Sequence, residues 1–337
     1  MKRRIAMLLT IALTAGVLSA CGGSQPAPAA QPAAEEAAEE EAEAPAEEAA
    51  EAEAPAEEAA EEEAPAEGDA VTDAAMNYFA EFPKMADYGN NAIASPDLFA
   101  KIDAGEDMVI LDIRQADAYA EGHLKGAVNV PYQDIPTVLD KIPDDKPVFV
   151  NCYTGQTSSQ TVALLNMAGK YAVNIQSGWN RGISQAEGFD AYVETEENTL
   201  EDGSYPVDAA LKDAITAYYA EADAHNYKYF NFPVEDLREL VDAEADTYTI
   251  LSVRQAKDYA EGHIAGAMNI PFGNGMQDSF SEIPTDKPVV VYCYTGQTAS
   301  QVMAVLRMLG YEAYNLNGGM GNENFGWLQN GNPVVTD

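Results

Sequence analysis

Cys152 and Cys293 each open the same six-residue string, Cys-Tyr-Thr-Gly-Gln-Thr, which this chain of 337 residues writes twice, 141 residues apart. A thiol in such a loop offers nucleophilic or group-carrying chemistry once it ionises. Each loop follows a continuous apolar run, Pro147 to Asn151 and Pro288 to Tyr292, suited to the buried centre of a parallel sheet. After each loop, Ser158 to Ala168 and Ala299 to Leu309 place apolar residues at helical spacing, with Gly169 and Gly310 where a helix would stop. A cysteine between the carboxyl end of a strand and a helix N-terminus faces unsatisfied backbone amides and the positive end of the helix dipole. Both favour thiolate over thiol, so no histidine base is required. Gly155 and Gly296 would let the backbone curl around the sulfur. The hydroxyls of Thr157 and Thr298 are expected near the helix start, as caps or as extra donors.

The duplication reaches well beyond the loops. Residues 112–131, DIRQADAYAEGHLKGAVNVP, return at 252–271 as SVRQAKDYAEGHIAGAMNIP. Tyr78-Phe79-Ala80-Glu81 matches Tyr218-Tyr219-Ala220-Glu221, and Asn174 to Gly178 matches Asn315 to Gly319. Two homologous α/β domains are expected, at 69–200 and 201–337, each of a size that can hold one core. The aromatic pairs on the presumed leading helices read as core contacts.

Lys2-Arg3-Arg4 and the apolar run from Ile5 to Leu18 have the charge and length of a secretory signal, too short to span a bilayer comfortably. The run closes on Leu18-Ser19-Ala20-Cys21, which resembles a bacterial lipobox. The reading is a signal peptide over 1–20, lipidation at Cys21, and an extracytoplasmic protein of a bacterial envelope anchored to a membrane. Residues 21–68 are nearly all Ala, Glu and Pro, with 16 glutamates between 31 and 67, and read as a disordered, self-repelling spacer. Formal net charge is −38. Without the three signal cations and the spacer glutamates, 15 basic and 40 acidic residues remain, a net of −25, which speaks against nucleic acid as a partner.

With Cys21 assigned to the anchor, the other two cysteines occupy equivalent places in the two repeats. A bridge between them is the weaker reading, and two unpaired thiols outside the cytoplasm favour reactivity. His123 and His263 lie about 30 residues from their cysteines with no second His or Cys nearby, so neither a metal nor another cofactor is expected, and both histidines read as structural. His225 reads as a surface residue. Arg114 and Arg254 sit at strand ends, placed either to steer an anionic substrate or to pair with acidic positions such as Asp117 and Asp258.

Taken together, D-x-R in the first repeat (S-x-R in the second), then Y-x-x-G-H, then G-A-x-N-[VI]-P, then a six-residue loop opening with cysteine, each repeat resembles a rhodanese domain. The resemblance implies a central, mostly parallel sheet flanked by helices, and sulfurtransferase activity. In that family the cysteine takes the outer sulfur of a small donor of the thiosulfate, 3-mercaptopyruvate or polysulfide class. It holds that sulfur as a persulfide cradled by loop amides and passes it to a thiol or cyanide-like acceptor. Carried over, Cys152 and Cys293 are the carriers. Tyr153, Thr154, Gly155, Gln156, Thr157 and Ser158, and Tyr294, Thr295, Gly296, Gln297 and Thr298, form the cradles. The phosphatase relatives of the family have a longer loop containing arginine, whereas these loops count six and hold neither arginine nor lysine. The competing class is a non-enzymatic sulfur-carrier, redox-sensing or scaffold lipoprotein that uses the loops for binding. The repeats also differ: Ser252 replaces Asp112, and Gly318-Gly319-Met320 replaces Ser177-Gly178-Trp179.

Overall fold

A computed structural model describes residues 69–83 and 87–336; the signal-like segment, Cys21 and the spacer lie outside the described residues. The first repeat runs through α1 (Ala70–Ala80), β1 (Ala92–Ile93), α2 (Ser95–Ala104), β2 (Val109–Asp112), α3 (Ala116–Glu121), β3 (His123–Leu124) and β4 (Ala127–Asn129). It continues through α4 (Ile135–Val138), β5 (Pro147–Asn151), α5 (Gln156–Met167), β6 (Tyr171–Ile175) and β7 (Val193–Glu194). The second repeat comprises α6 (Ala209–Ala224), β8 (Asn231–Phe232), α7 (Val234–Asp242), β9 (Thr249–Ser252), α8 (Ala256–Glu261), β10 (Ala267–Asn269), β11 (Val289–Tyr292), α9 (Gln297–Met308) and β12 (Ala313–Leu316).

Each repeat builds a five-stranded parallel sheet, ordered β1-β6-β5-β2-β4 in the first and β10-β9-β11-β12-β8 in the second. The expected α/β architecture is therefore present twice. The apolar runs before the cysteines become β5 and β11, the middle strand of each sheet. Their backbone groups are paired on both edges and their side chains buried on both faces, which is why they read as unbroken apolar sequence. Asp69 and Asp208 cap α1 and α6, accepting from Val71 N at 3.3 Å and Leu211 N at 3.1 Å.

The helices after the cysteines start two residues earlier than the apolar spacing indicates. Gly155 and Gly296, at φ +85° and +83°, serve as N-caps, so Gln156 and Gln297 already lie in the first turn. Thr157 and Thr298 fall inside the helices and make no capping hydrogen bond, which corrects the capping role expected of them.

Helices α5 and α9 pack against each other, and one hydrophobic cluster runs through both repeats. The leading helices are exchanged. Phe79 of α1 packs edge-on against Phe272 and Phe280 of the second repeat, at ring distances of 5.6 and 5.9 Å. In return, Tyr219 of α6 packs on Tyr132 at 4.7 Å and donates its hydroxyl to Thr161 Oγ1 at 3.0 Å. The aromatic pairs are core residues as expected, but Phe79 and Tyr219 reach into the other repeat, while Tyr218 packs on Phe230 of its own. Among the described residues, no helix is long and apolar enough to cross a membrane.

Candidate active sites

Both cysteines stand directly after the central strand, buried and unbridged, at 2% and 1% exposure. The loop closes back on each sulfur: Gly155 N donates to Cys152 Sγ at 3.1 Å and Gly296 N donates to Cys293 Sγ at 3.2 Å. Backbone amides at a helix N-terminus thus point at both sulfurs, an arrangement suited to a thiolate or to the terminal sulfur of a persulfide.

A second loop braces each cradle. Trp179 N and Asn180 N donate to the carbonyls of Cys152 and Tyr153 at 2.8 and 2.9 Å. Met320 N and Gly321 N do the same for Cys293 and Tyr294, at 2.7 and 2.8 Å. The braces fit because Gly178 and Gly319 lack side chains: a Cβ there would lie 2.5 Å from Cys152 O or 2.6 Å from Cys293 O. Sequence comparison alone shows these glycines as a matched pair without revealing this contact.

The remaining loop residues divide between mouth and interface. Tyr153 and Tyr294 are the exposed members, their hydroxyls accepting from Gln115 N at 3.3 Å and Gln255 N at 3.2 Å. Tyr294 also donates to the Asp258 carboxylate; burial, reinforced by that bond, raises its phenol above the usual range. Gln156 and Gln297 turn inward and cross to the other repeat. Gln156 Oε1 accepts from Gly318 N and Asn315 Nδ2, both at 2.9 Å. Gln297 Oε1 accepts from Ser177 N at 2.8 Å and Asn174 Nδ2 at 3.0 Å. Their amide nitrogens donate to Thr154 Oγ1 at 3.3 Å and Thr295 Oγ1 at 2.8 Å. A cavity of about 160 Å³ beside Cys293 is lined by residues of both repeats, Asn90, Asn174 and Gln176 facing Thr298 and Gln301. A larger one of about 390 Å³, beside Lys146 and Tyr205, touches neither cysteine.

The arginines are structural in their contacts. Arg114, 3% exposed, makes a bidentate pair with Asp112, donates to Gly122 O at 2.8 Å and stacks on Trp179 at 4.1 Å. Its partner is Asp112, the last residue of β2 and two positions before it, rather than Asp117. Arg254 donates to Gly262 O, but Ser252 gives it no carboxylate, and its Nε has no hydrogen-bond partner among the described residues. Asp258 bonds Tyr294 instead of Arg254. Both ring nitrogens of His123 face backbone carbonyls, of Tyr119 at 2.8 Å and Glu196 at 2.9 Å. His225 is not a surface residue: it is half-buried among Tyr227, Phe230 and Tyr314. No group of His, Cys, Asp and Glu suited to a metal occurs among the described residues.

Comparison with known proteins matches the rhodanese-like domain twice, over residues 95–185 and 233–322, more than half of the chain. The chain belongs to the rhodanese-like family. It is 34% identical to a sulfurtransferase of Allochromatium vinosum over 94 residues, 28% of this chain and 83% of that protein. It is 39% identical to the uncharacterized protein YqhL of Bacillus subtilis over 71 residues, 21% of this chain and 56% of that one. Among solved structures, the 3-mercaptopyruvate sulfotransferase SseA of Escherichia coli aligns over 68% of this chain and 99% of its own, with 18% identity and a TM-score of 0.33. Within this rhodanese-like chain the duplicated cysteine loop falls inside both matched segments, at 152–157 and 293–298.

Proposed function

We propose that this chain is a sulfurtransferase in which Cys152 and Cys293 carry sulfane sulfur as persulfides. The observation that carries this reading is the pair of short contacts between each sulfur and its loop amide, Gly155 N and Gly296 N, at the start of a helix. With thiosulfate, the thiolate attacks the outer sulfur, a Cys S–S bond forms, the donor S–S bond breaks, and sulfite leaves with its electron pair. The terminal persulfide sulfur keeps the negative charge, which amide donors stabilise. A cyanide or thiolate acceptor then attacks that sulfur and returns the cysteine thiolate. The acidic surface field disfavours dianions at long range, so 3-mercaptopyruvate, a monoanion while its thiol is protonated, is a better match to this chain than thiosulfate. The sulfurtransferase of Allochromatium vinosum supports the assignment by its name and its 83% coverage.

The same proposal locates the activity outside the cytoplasm, tethered to a membrane through a lipid on Cys21, on the strength of the Leu18-Ser19-Ala20-Cys21 segment. Incorporation of a labelled fatty acid that disappears in Cys21→Ser tests the anchor. Persulfide formation, read by intact mass after exposure to a donor, tests the chemistry. One-to-one labelling without turnover on adding an acceptor would turn the assignment toward a carrier.

A further inference from the structure

The two sulfurs differ in one neighbour. Ser158 Oγ lies 3.1 Å from Cys152 Sγ, whereas the equivalent position beside Cys293 is Ala299. What the Ser158 hydroxyl offers the sulfur is decided by a chain of bonds that starts in the other repeat. The backbone N–H of Ser177 can only donate, so the Gln297 atom it meets at 2.8 Å is the carbonyl oxygen. The Asn174 atom 3.0 Å from that oxygen must then be the amide nitrogen. This turns Asn174 Oδ1 toward Ser158, which donates its single O–H to it at 2.5 Å. Only a lone pair of Ser158 is left for Cys152, and it accepts the S–H. Ser158 and Asn174 are both fully buried, so water cannot substitute for either bond. For Ser158 to turn its O–H toward a Cys152 thiolate, it would have to abandon a buried amide oxygen, a loss comparable to the gain.

In the second repeat the same chain stops short. Gly318 N fixes Gln156 Oε1, and Asn315 Nδ2 donates to it. Asn315 Oδ1, equally buried, then has no hydrogen-bond partner among the described residues, because Ala299 has no hydroxyl to offer.

We infer that Gln297 acts across the interface as a positioning residue for the first site: it sets the polarity of the Asn174–Ser158 chain so that the Cys152 sulfur meets a hydroxyl lone pair rather than an O–H, leaving Cys293 as the readier nucleophile. The inference rests on the sulfur-transfer reading for its consequence, that Cys293 takes sulfur first. Its test requires no sulfur donor.

The test follows iodoacetamide labelling of the full chain near pH 7.5, with the peptides carrying Cys152 and Cys293 quantified separately by mass spectrometry. Cys152 is expected to react roughly tenfold more slowly than Cys293, about the effect of one hydrogen bond. Gln297→Ala frees Asn174 to turn over, which releases the Ser158 O–H to the sulfur, and should raise the Cys152 rate several-fold. Gln297→Glu keeps an acceptor for Ser177 N and Asn174 Nδ2 and should retain the slow rate. In Ser158→Ala, adding Gln297→Ala should change nothing further at Cys152. Ala299→Ser should slow Cys293, since Asn315 Oδ1 is available to take the new O–H. Cys152 reacting as fast as Cys293, or Gln297→Ala leaving Cys152 as slow as in the parent, would overturn the inference. Absence of sulfur uptake in the separate persulfide experiment would remove the functional reading and leave this ordering standing or falling by itself.

Discussion

Gln297 Oε1 lies 2.8 Å from the backbone nitrogen of Ser177, so the loop that holds Cys293 also fixes the loop that braces Cys152. The same oxygen occupies the space a side chain at Gly155 would need: a Cβ there would sit 2.4 Å from it. Gly155→Ala should therefore cost more than the roughly 1–3 kcal/mol of a residue forced to positive φ. Sulfur uptake should fall at both cysteines, because the overlap pushes on both loops. Urea denaturation together with peptide-resolved sulfur labelling checks this; a loss confined to Cys152 would contradict the interlock.

Phe79 lies in the first repeat by sequence and in the core of the second by contact. Truncation to alanine should destabilise the chain by about 3–5 kcal/mol, as for a buried aromatic residue. Because one hydrophobic cluster spans both repeats, they should still unfold in one transition, read by circular dichroism and intrinsic fluorescence together. Two separated transitions would show that the exchanged helices do not couple the repeats.

Asp112 is 1% exposed and neutralises an equally buried Arg114. Asp112→Ala should cost about 3–5 kcal/mol by stranding that charge, and the double change with Arg114→Met should recover much of the loss. Denaturant midpoints of the two variants give the comparison. Equal losses in both would show that the stranded charge of Arg114 is not what makes the single change costly.

The sheets, their central strands and the cysteine loops are legible in the sequence because the duplication marks them and because a strand buried on both faces reads as unbroken apolar residues. The early start of α5 is not. Gln156 is polar and breaks the apolar spacing, and its burial against Asn315 follows only from how the repeats pack. The exchange of α1 and α6 is hidden for a similar reason: Tyr78-Phe79 declares an apolar face but not which repeat covers it. Ser252 in place of Asp112 is visible, yet that Asp112, not Asp117, is the partner of Arg114 depends on how the chain bends back just after the strand ends.

Tyr78, Tyr132, Tyr218 and Tyr219 line the contact between the repeats, and burial raises each phenol above its ordinary value of 10.0. A group whose folded form holds its proton more tightly stabilises the fold fully below the unfolded value, and the contribution drains away as pH rises beyond it. Stability should thus fall from about pH 10 upward. In Tyr219→Phe the drop between pH 8 and pH 10.5 should be smaller than in the parent, measured by urea denaturation at both values. An unchanged drop would show that Tyr219 does not contribute to it.

The central claim is that each buried cysteine, cradled by its loop amide, carries sulfur. The most direct measurement is intact mass spectrometry after exposure to 3-mercaptopyruvate, polysulfide or thiosulfate and removal of the donor, with Cys152→Ser and Cys293→Ser alongside. A gain of one sulfur mass per intact loop cysteine is expected, mapped to Cys152 and Cys293 and lost on adding cyanide or a thiol. No gain from any of these donors, or a gain that survives in the double Cys→Ser variant, would contradict it.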